Sequence, residues 1–175
     1  MKIHLITGGS GSGKSAWGES WIAGEAKGRP LIYIATMRPE GEEAKRRILR
    51  HRRQRAGRGF QTVECPEDLE KLKIPAGSGV LLECLSNLAA NELYEEGGRV
   101  RDRELVKQKI LRGLRRLAGQ AEVLAIVTNE IFSDGAEYGE DIRVYQELLG
   151  ELNREAACMA DQVTEVVYGI PVVVK

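Results

Sequence analysis

The sequence has little of the chemistry that marks secreted, membrane-spanning or zinc-binding proteins. Its three cysteines, Cys65, Cys84 and Cys158, are odd in number and far apart, with no CxxC pair and no neighbouring histidine. We therefore expect reduced thiols rather than a disulfide framework or a zinc site. The apolar runs, such as residues 123–127 and 172–174, fall far short of the ~18 residues that span a bilayer. No basic and apolar signal segment opens the chain, so we expect a cytoplasmic protein without a membrane span.

Aromatic residues are also scarce, at 5%, but the hydrophobic fraction of 42% and the charged fraction of 30% are typical of globular proteins. A chain of 175 residues without a linker or repeat predicts one domain, residues 1–175. The net charge of zero conceals an uneven distribution, because residues 1–60 carry 13 Lys and Arg against 5 Asp and Glu. The remainder of the chain is correspondingly acidic, which argues against nucleic-acid binding.

Short apolar segments alternate with segments of helical character. Strands are predicted at residues 2–7, 31–35, 61–64, 80–84 and 122–128, and helices at residues 14–27, 41–55, 66–72, 87–96, 102–117 and 142–159. Residues 162–168 and 171–175, on either side of Gly169 and Ile170, predict a C-terminal β-hairpin. This alternation predicts an α/β fold with a mostly parallel sheet flanked by helices.

A phosphate-binding loop lies between the first strand and the first helix. Residues 8–15 match the pattern GxxxxGK[ST] and are Gly8, Gly9, Ser10, Gly11, Ser12, Gly13, Lys14 and Ser15. Glycines let successive backbone N–H groups face the phosphates together with the helix N-terminus. We expect Lys14 to reach the β- and γ-phosphate oxygens and Ser15 to ligate Mg²⁺.

Two carboxylates follow buried strands and are candidates for the same site. Glu83 is the natural acidic partner for Mg²⁺, with a solvent-facing carboxylate as the alternative, and Glu130 ends another strand. The carboxyl edge of an open α/β sheet is where ligands bind, but one sequence does not decide which carboxylate is base or metal ligand. Trp17 and Trp21 are interpreted as core packing, and His4 as a structural residue of the first strand.

The segment after the second strand is rich in arginine and contains the second histidine of the chain, His51. Seven arginines lie between Arg46 and Arg58. They could form a solvated helix face, supported by Glu42 paired with Arg46, or they could neutralise phosphate charge. In a positive environment the His51 imidazole stays neutral, so that a ring nitrogen can attack phosphorus.

Several motifs, in their order along the chain, are similar to those of one enzyme family. They are the phosphate loop, Tyr33-Ile34-Ala35-Thr36, Arg47-Ile48 with His51-Arg52, Leu82-Glu83-Cys84-Leu85 with Asn91, Val127-Thr128-Asn129-Glu130, and Gly150 with Asn153. Together they resemble the bifunctional adenosylcobinamide kinase/adenosylcobinamide-phosphate guanylyltransferase family over nearly the whole chain. The resemblance implies a RecA-like P-loop NTPase fold, ATP and GTP as substrates with Mg²⁺, and a homo-oligomer, specifically a trimer.

The resemblance also implies two reactions. ATP or GTP phosphorylates adenosylcobinamide, and GTP then guanylylates a histidine, from which GMP passes to adenosylcobinamide phosphate. His51 matches that histidine, and Thr36, Arg47, Arg52 and Glu83 join the phosphate loop as nucleotide-binding candidates, with Lys14, Glu83 and Glu130 as further catalytic candidates. Residues 131–147 depart from the family pattern, which leaves two alternatives open: a small-molecule kinase without guanylyl transfer, and a non-catalytic nucleotide-sensing module.

Overall fold

Seven strands form one sheet in the computed structural model, which describes residues 1–38, 41–42, 46, 57–95, 97–132 and 139–175. The strands are β1 Lys2–Thr7, β2 Leu31–Ala35, β3 Phe60–Glu64, β4 Ser78–Leu82, β5 Ala121–Val127, β6 Gln162–Val167 and β7 Ile170–Val173. The α-helices whose bounds lie within these described residues are α1 Lys14–Glu25, α2 Leu85–Leu93, α3 Arg103–Gln120 and α4 Glu140–Met159. The spatial order of the strands is β3-β2-β4-β5-β1-β6-β7.

All neighbouring strands run parallel except the last pair. β1 pairs in parallel with β5 and β6, β2 with β3 and β4, and β4 with β5, whereas β6 and β7 are antiparallel. The predicted P-loop α/β fold with a mostly parallel sheet and a C-terminal hairpin is therefore confirmed. Because the carboxyl ends of β1, β2, β4 and β5 lie at one edge, the residues that follow these strands are brought together there.

Helices cover both faces of the sheet, because its parallel strands are apolar on both sides. The apolar cluster beneath α1 includes Ile6, Ile22, Tyr33 and Leu81, with Trp17 and Trp21 packed at its margin. The larger cluster on the opposite face gathers residues of α2, α3 and α4. In the part of the chain that the structure describes, no helix is long and apolar enough to cross a membrane.

His4 has the structural position that its place in the first strand predicts. It is buried, and its Nε2 is 2.8 Å from Thr164 Oγ1 on β6. The rings of Trp17 and Trp21 meet it edge-on, at centroid distances of 5.3 and 4.5 Å. These contacts tie β1, β6 and α1 together next to the phosphate loop.

The prediction of a helix over residues 66–72 is wrong. Only a 3₁₀ turn, Leu69–Lys71, forms there. Asp68 has a φ of +58°, in the left-handed region, and its N–H donates to Glu92 Oε1 at 2.7 Å. A left-handed residue cannot continue an α-helix, so this contact with α2 limits the segment to one turn.

Candidate nucleotide site

The phosphate loop forms a turn that connects β1 to α1. Gly13 has a φ of +91°, which an L-residue rarely adopts, and it is the residue from which α1 begins. At Gly8 a Cβ atom would lie 2.5 Å from the carbonyl oxygen of Val166, so a side chain cannot be accommodated. In the described structure no side chain caps α1 and its first turn has no acidic residue. The helix N-terminus therefore offers its N–H groups and positive dipole to an anion.

Lys14 lies against this loop, and its contact with phosphate oxygens stays a prediction. It is 8% exposed, and its Nζ donates to the carbonyl oxygen of Gly9 at 2.9 Å. Burial lowers the pKa of Lys14 from its ordinary value, since desolvation disfavours the charged amine. An anionic phosphate beside Nζ would stabilise the charged amine more strongly than the carbonyl acceptor does, and so would offset its desolvation.

Glu83 follows β4 directly and connects the end of β4 to the end of β2 by hydrogen bonds. Its Oε1 accepts a hydrogen bond from the Tyr33 hydroxyl at 2.9 Å, and its Oε2 accepts one from the Thr36 N–H at 3.0 Å. With Glu83 only 9% exposed, the solvent-facing alternative does not describe this carboxylate. Each carboxylate oxygen keeps a second lone pair, so the group can still bind an ordered water or a cation.

Thr36 is fully buried at the end of β2, and its own polar atoms are engaged. Its hydroxyl donates to the carbonyl oxygen of Cys84 at 3.0 Å, and its carbonyl oxygen accepts from Asn91 Nδ2 at 2.8 Å. In this conformation Thr36 fixes the geometry of Glu83. A direct contact between Thr36 and nucleotide stays a prediction.

Glu130 is brought to the first glycine of the phosphate loop. Its N–H donates to the carbonyl oxygen of Gly8 at 3.1 Å, and its Oε1 accepts from the N–H of Phe132 at 2.8 Å. Glu130 is partly exposed, unlike Glu83. The two candidate carboxylates thus differ in environment, with Glu83 held between strands and Glu130 beside the loop.

The donor set fits Mg²⁺, which prefers oxygen ligands and retains several waters. The Ser15 hydroxyl lies at the start of α1, and the Glu83 carboxylate lies at the same edge of the sheet. Among the described residues, no group of three or more His, Cys, Asp or Glu could hold a metal ion by itself. Ser15 and Glu83 alone are too few ligands to hold Mg²⁺, so they suit a cation that the phosphates of a nucleotide also ligate.

A hydrogen-bonded network at this edge was missed by sequence reasoning as part of the site. Asn129 Nδ2 donates to Ser86 Oγ at 2.5 Å, and Ser86 Oγ lies 2.9 Å from the Cys84 sulfur. Thr128 Oγ1 donates to Asn153 Oδ1 at 2.7 Å, and Asn153 Nδ2 donates to the Asn129 carbonyl oxygen at 3.3 Å. The motifs quoted for the family resemblance include Cys84, Thr128, Asn129 and Asn153, but no role was assigned to them. Ser86 lies between the predicted strand 80–84 and the predicted helix 87–96, and the sequence carries no local signal for it.

His51, Arg47 and Arg52 lie outside the residues that the structure describes. Glu42 and Arg46, within the same predicted helix, lie in helical structure and are exposed, whereas Gly41 has a φ of +79°. Arg58, the last arginine of this segment, donates from Nη1 to Oε2 of the buried Glu19 on α1 at 3.3 Å. The departing stretch 131–147 is described only in part, since residues 133–138 are also outside the described ranges.

Comparison with known proteins places this site in a family. The family model described as cobinamide kinase / cobinamide phosphate guanyltransferase matches residues 4–174. The bifunctional adenosylcobalamin biosynthesis protein CobU of Escherichia coli is 30% identical over 182 residues, covering 98% of each sequence. The bifunctional adenosylcobalamin biosynthesis protein CobP of Pseudomonas aeruginosa is 32% identical over 174 residues, covering 98% of this chain and 96% of the relative.

Two solved structures align with most of the chain at low sequence identity. A KaiC-like protein from Pyrococcus horikoshii aligns with a TM-score of 0.45 and 14% identity, over 94% of this chain and 70% of its own. The flagellar accessory protein FlaH from Methanocaldococcus jannaschii aligns with a TM-score of 0.47 and 10% identity, over 99% of this chain and 78% of its own. The family assignment rests on the sequence comparisons, which span almost every residue. The chain belongs to the cobinamide kinase / cobinamide phosphate guanyltransferase family.

Proposed function

We propose that this chain, as a single catalytic domain, phosphorylates adenosylcobinamide with ATP or GTP and then converts the product to adenosylcobinamide-GDP. The observation that carries the proposal is a formed phosphate loop in a chain that matches a bifunctional family over residues 4–174. The proposed enzyme is cytoplasmic and a homo-oligomer, a trimer by the family resemblance.

In the kinase reaction the terminal hydroxyl of the aminopropanol arm attacks the γ-phosphorus, and the bond to the β–γ bridging oxygen breaks. The hydroxyl proton passes to a carboxylate, for which Glu83 and Glu130 are the candidates, and the nucleoside diphosphate leaves. Backbone N–H groups of residues 8–15 and the Lys14 amine stabilise negative charge on the phosphates. Ser15 and Glu83 would hold Mg²⁺, which would supply further neutralisation of the negative charge on the phosphates.

In the transfer reaction a neutral ring nitrogen of His51 attacks the α-phosphorus of GTP, and pyrophosphate leaves. A phosphate oxygen of adenosylcobinamide phosphate then attacks the phosphorus of the guanylyl group, and the histidine nitrogen is released. Two displacements replace one difficult direct transfer, which is the general advantage of covalent catalysis. Arg47 and Arg52 are proposed to neutralise the phosphates during both steps.

The replacement His51→Ala separates the two reactions and tests the proposal. With adenosylcobinamide, ATP, GTP and Mg²⁺, the wild type is expected to yield adenosylcobinamide-GDP, whereas His51→Ala is expected to accumulate adenosylcobinamide phosphate. Mass spectrometry of the corrinoid products measures both. The retained kinase reaction is the internal control for folding of the variant.

Other product patterns would support the alternatives. Wild-type protein that stops at adenosylcobinamide phosphate would be a kinase without guanylyl transfer. Protein that binds nucleotide but modifies no corrinoid would be a nucleotide-sensing module. Residues 131–147, which depart from the family pattern, would then be the first place to look for the cause.

A further inference from the structure

The turn of the C-terminal hairpin is fixed against the phosphate loop. The N–H of Gly169 donates to the carbonyl oxygen of Ser12 at 2.8 Å. A Cβ atom on Gly13 would lie 3.4 Å from the Cα of Gly169. The turn therefore borders the end of the loop from which α1 begins.

The residue at the tip of this turn, Tyr168, has a backbone conformation that its side chain disfavours. Val167 pairs with Ile170, so Tyr168 and Gly169 form a two-residue turn, with φ values of +50° and +79°. Positive φ at both positions is typical of a type I′ turn, which favours Asn followed by Gly. A bulky aromatic residue is costly at the first position, so turn formation does not explain the tyrosine.

Core packing does not explain the tyrosine at position 168 either. Tyr168 is 93% exposed, the highest value among the large exposed hydrophobic residues that the structure describes. The loop beside it recognises phosphates through backbone N–H groups, which do not contact the base. A nucleotide held there by its phosphates must extend its nucleoside over a neighbouring surface, and the hairpin turn borders the helical end of the loop.

We infer that Tyr168 provides a stacking surface for the purine base of the nucleoside triphosphate bound at the phosphate loop. The inference rests on the proposed function for the identity of that nucleotide. Stacking uses the face of the base rather than its edge, so it tolerates adenine and guanine alike. Such a surface suits an enzyme that accepts both ATP and GTP, and the strained turn keeps the ring at a fixed place beside the loop.

The replacement Tyr168→Asn tests this because stability and binding should change in opposite directions. Asn is the preferred residue of the turn, so the variant should melt at the same temperature as the wild type or higher. Loss of one stacked base should weaken GTP and ATP binding roughly tenfold in titration calorimetry with Mg²⁺. Inorganic triphosphate, which has no base, should bind wild type and variant equally.

Two further variants serve as controls. Tyr168→Trp keeps a stacking surface and should bind both nucleotides within about twofold of the wild type. Val173→Thr removes an exposed apolar side chain of the same hairpin, opposite Thr164, and should leave nucleotide affinity unchanged.

Equal nucleotide affinity of wild type and Tyr168→Asn would overturn the inference, and so would an equal loss of affinity for inorganic triphosphate. Wild-type protein that binds no nucleotide would overturn it together with the proposed function. Wild-type protein that binds nucleotide without converting adenosylcobinamide would contradict the proposed function alone, and the calorimetric comparison would still decide the role of Tyr168.

Discussion

At the scale of single residues, the site holds groups that lower the stability of the folded protein. Lys14 is buried with a carbonyl oxygen as its hydrogen-bond acceptor, and burial lowers its pKa. Gly8 and Gly13 have conformations or contacts that exclude other residues. Such features are expected where binding rather than folding has determined the residue.

We predict that Lys14→Met stabilises the nucleotide-free protein while it abolishes turnover. Methionine has a similar length and carries no buried charge, so the free energy of unfolding should rise by about 1 kcal/mol. Both reactions should slow at least ~100-fold, because the amine stabilises charge on the phosphates. Urea unfolding measures the first effect and corrinoid product formation the second. A variant that is less stable than the wild type yet active would contradict the assignment.

At the scale of elements, the sheet edge is assembled by contacts between segments that are distant in sequence. Glu83 at the end of β4 accepts hydrogen bonds from Tyr33 and Thr36 of the β2 region. His4 of β1 contacts Thr164 of β6 and the tryptophans of α1. The Glu83 contacts join the ends of β2 and β4, and the His4 contacts hold β1 against β6 and α1.

His4 gives this assembly a dependence on pH. Burial, with a smaller contribution from the positive charge of Lys2, lowers the pKa of His4 from 6.5 to about 4. Between these values the unfolded chain binds more protons than the folded one, so stability falls as the pH is lowered from about 6.5 to about 4. The loss from this residue should amount to about 3 kcal/mol at most. At pH 7 and above His4 should contribute no such dependence.

Comparison with His4→Gln isolates this effect from the titration of the carboxylates. Chemical denaturation at pH 7, 6 and 5 should show a steeper loss of stability in the wild type than in His4→Gln. Equal slopes would mean that the histidine is not buried in its neutral form.

The elements were largely predictable from local patterns, whereas their contacts were not. Apolar runs predicted the strands, and Gly169 between two extended segments predicted the hairpin. The prediction of a helix over residues 66–72 failed because a distant carboxylate, Glu92, accepts a hydrogen bond from the N–H of Asp68. The hydrogen bonds of Ser86 with Asn129 and of Tyr33 with Glu83 depend on the strand order, for which the sequence carried no local signal.

At the scale of the whole molecule, the basic and the acidic parts of the chain contribute different groups to the candidate site. Residues 1–60 carry the phosphate loop, the arginine-rich segment and His51, with 13 Lys and Arg against 5 Asp and Glu. Glu83 and Glu130 come from the acidic remainder. Phosphoryl and nucleotidyl transfer require positive groups that neutralise the phosphates. They also require carboxylates that accept protons or hold Mg²⁺.

Incubation with GTP radiolabelled at the α-phosphate, in the presence of Mg²⁺, tests the guanylyl-histidine most directly. After denaturing electrophoresis, the wild type should carry acid-labile label, and His51→Ala should carry none while it still phosphorylates adenosylcobinamide. An unlabelled wild type that is folded and binds GTP would contradict covalent transfer through His51, and so would label that persists in His51→Ala.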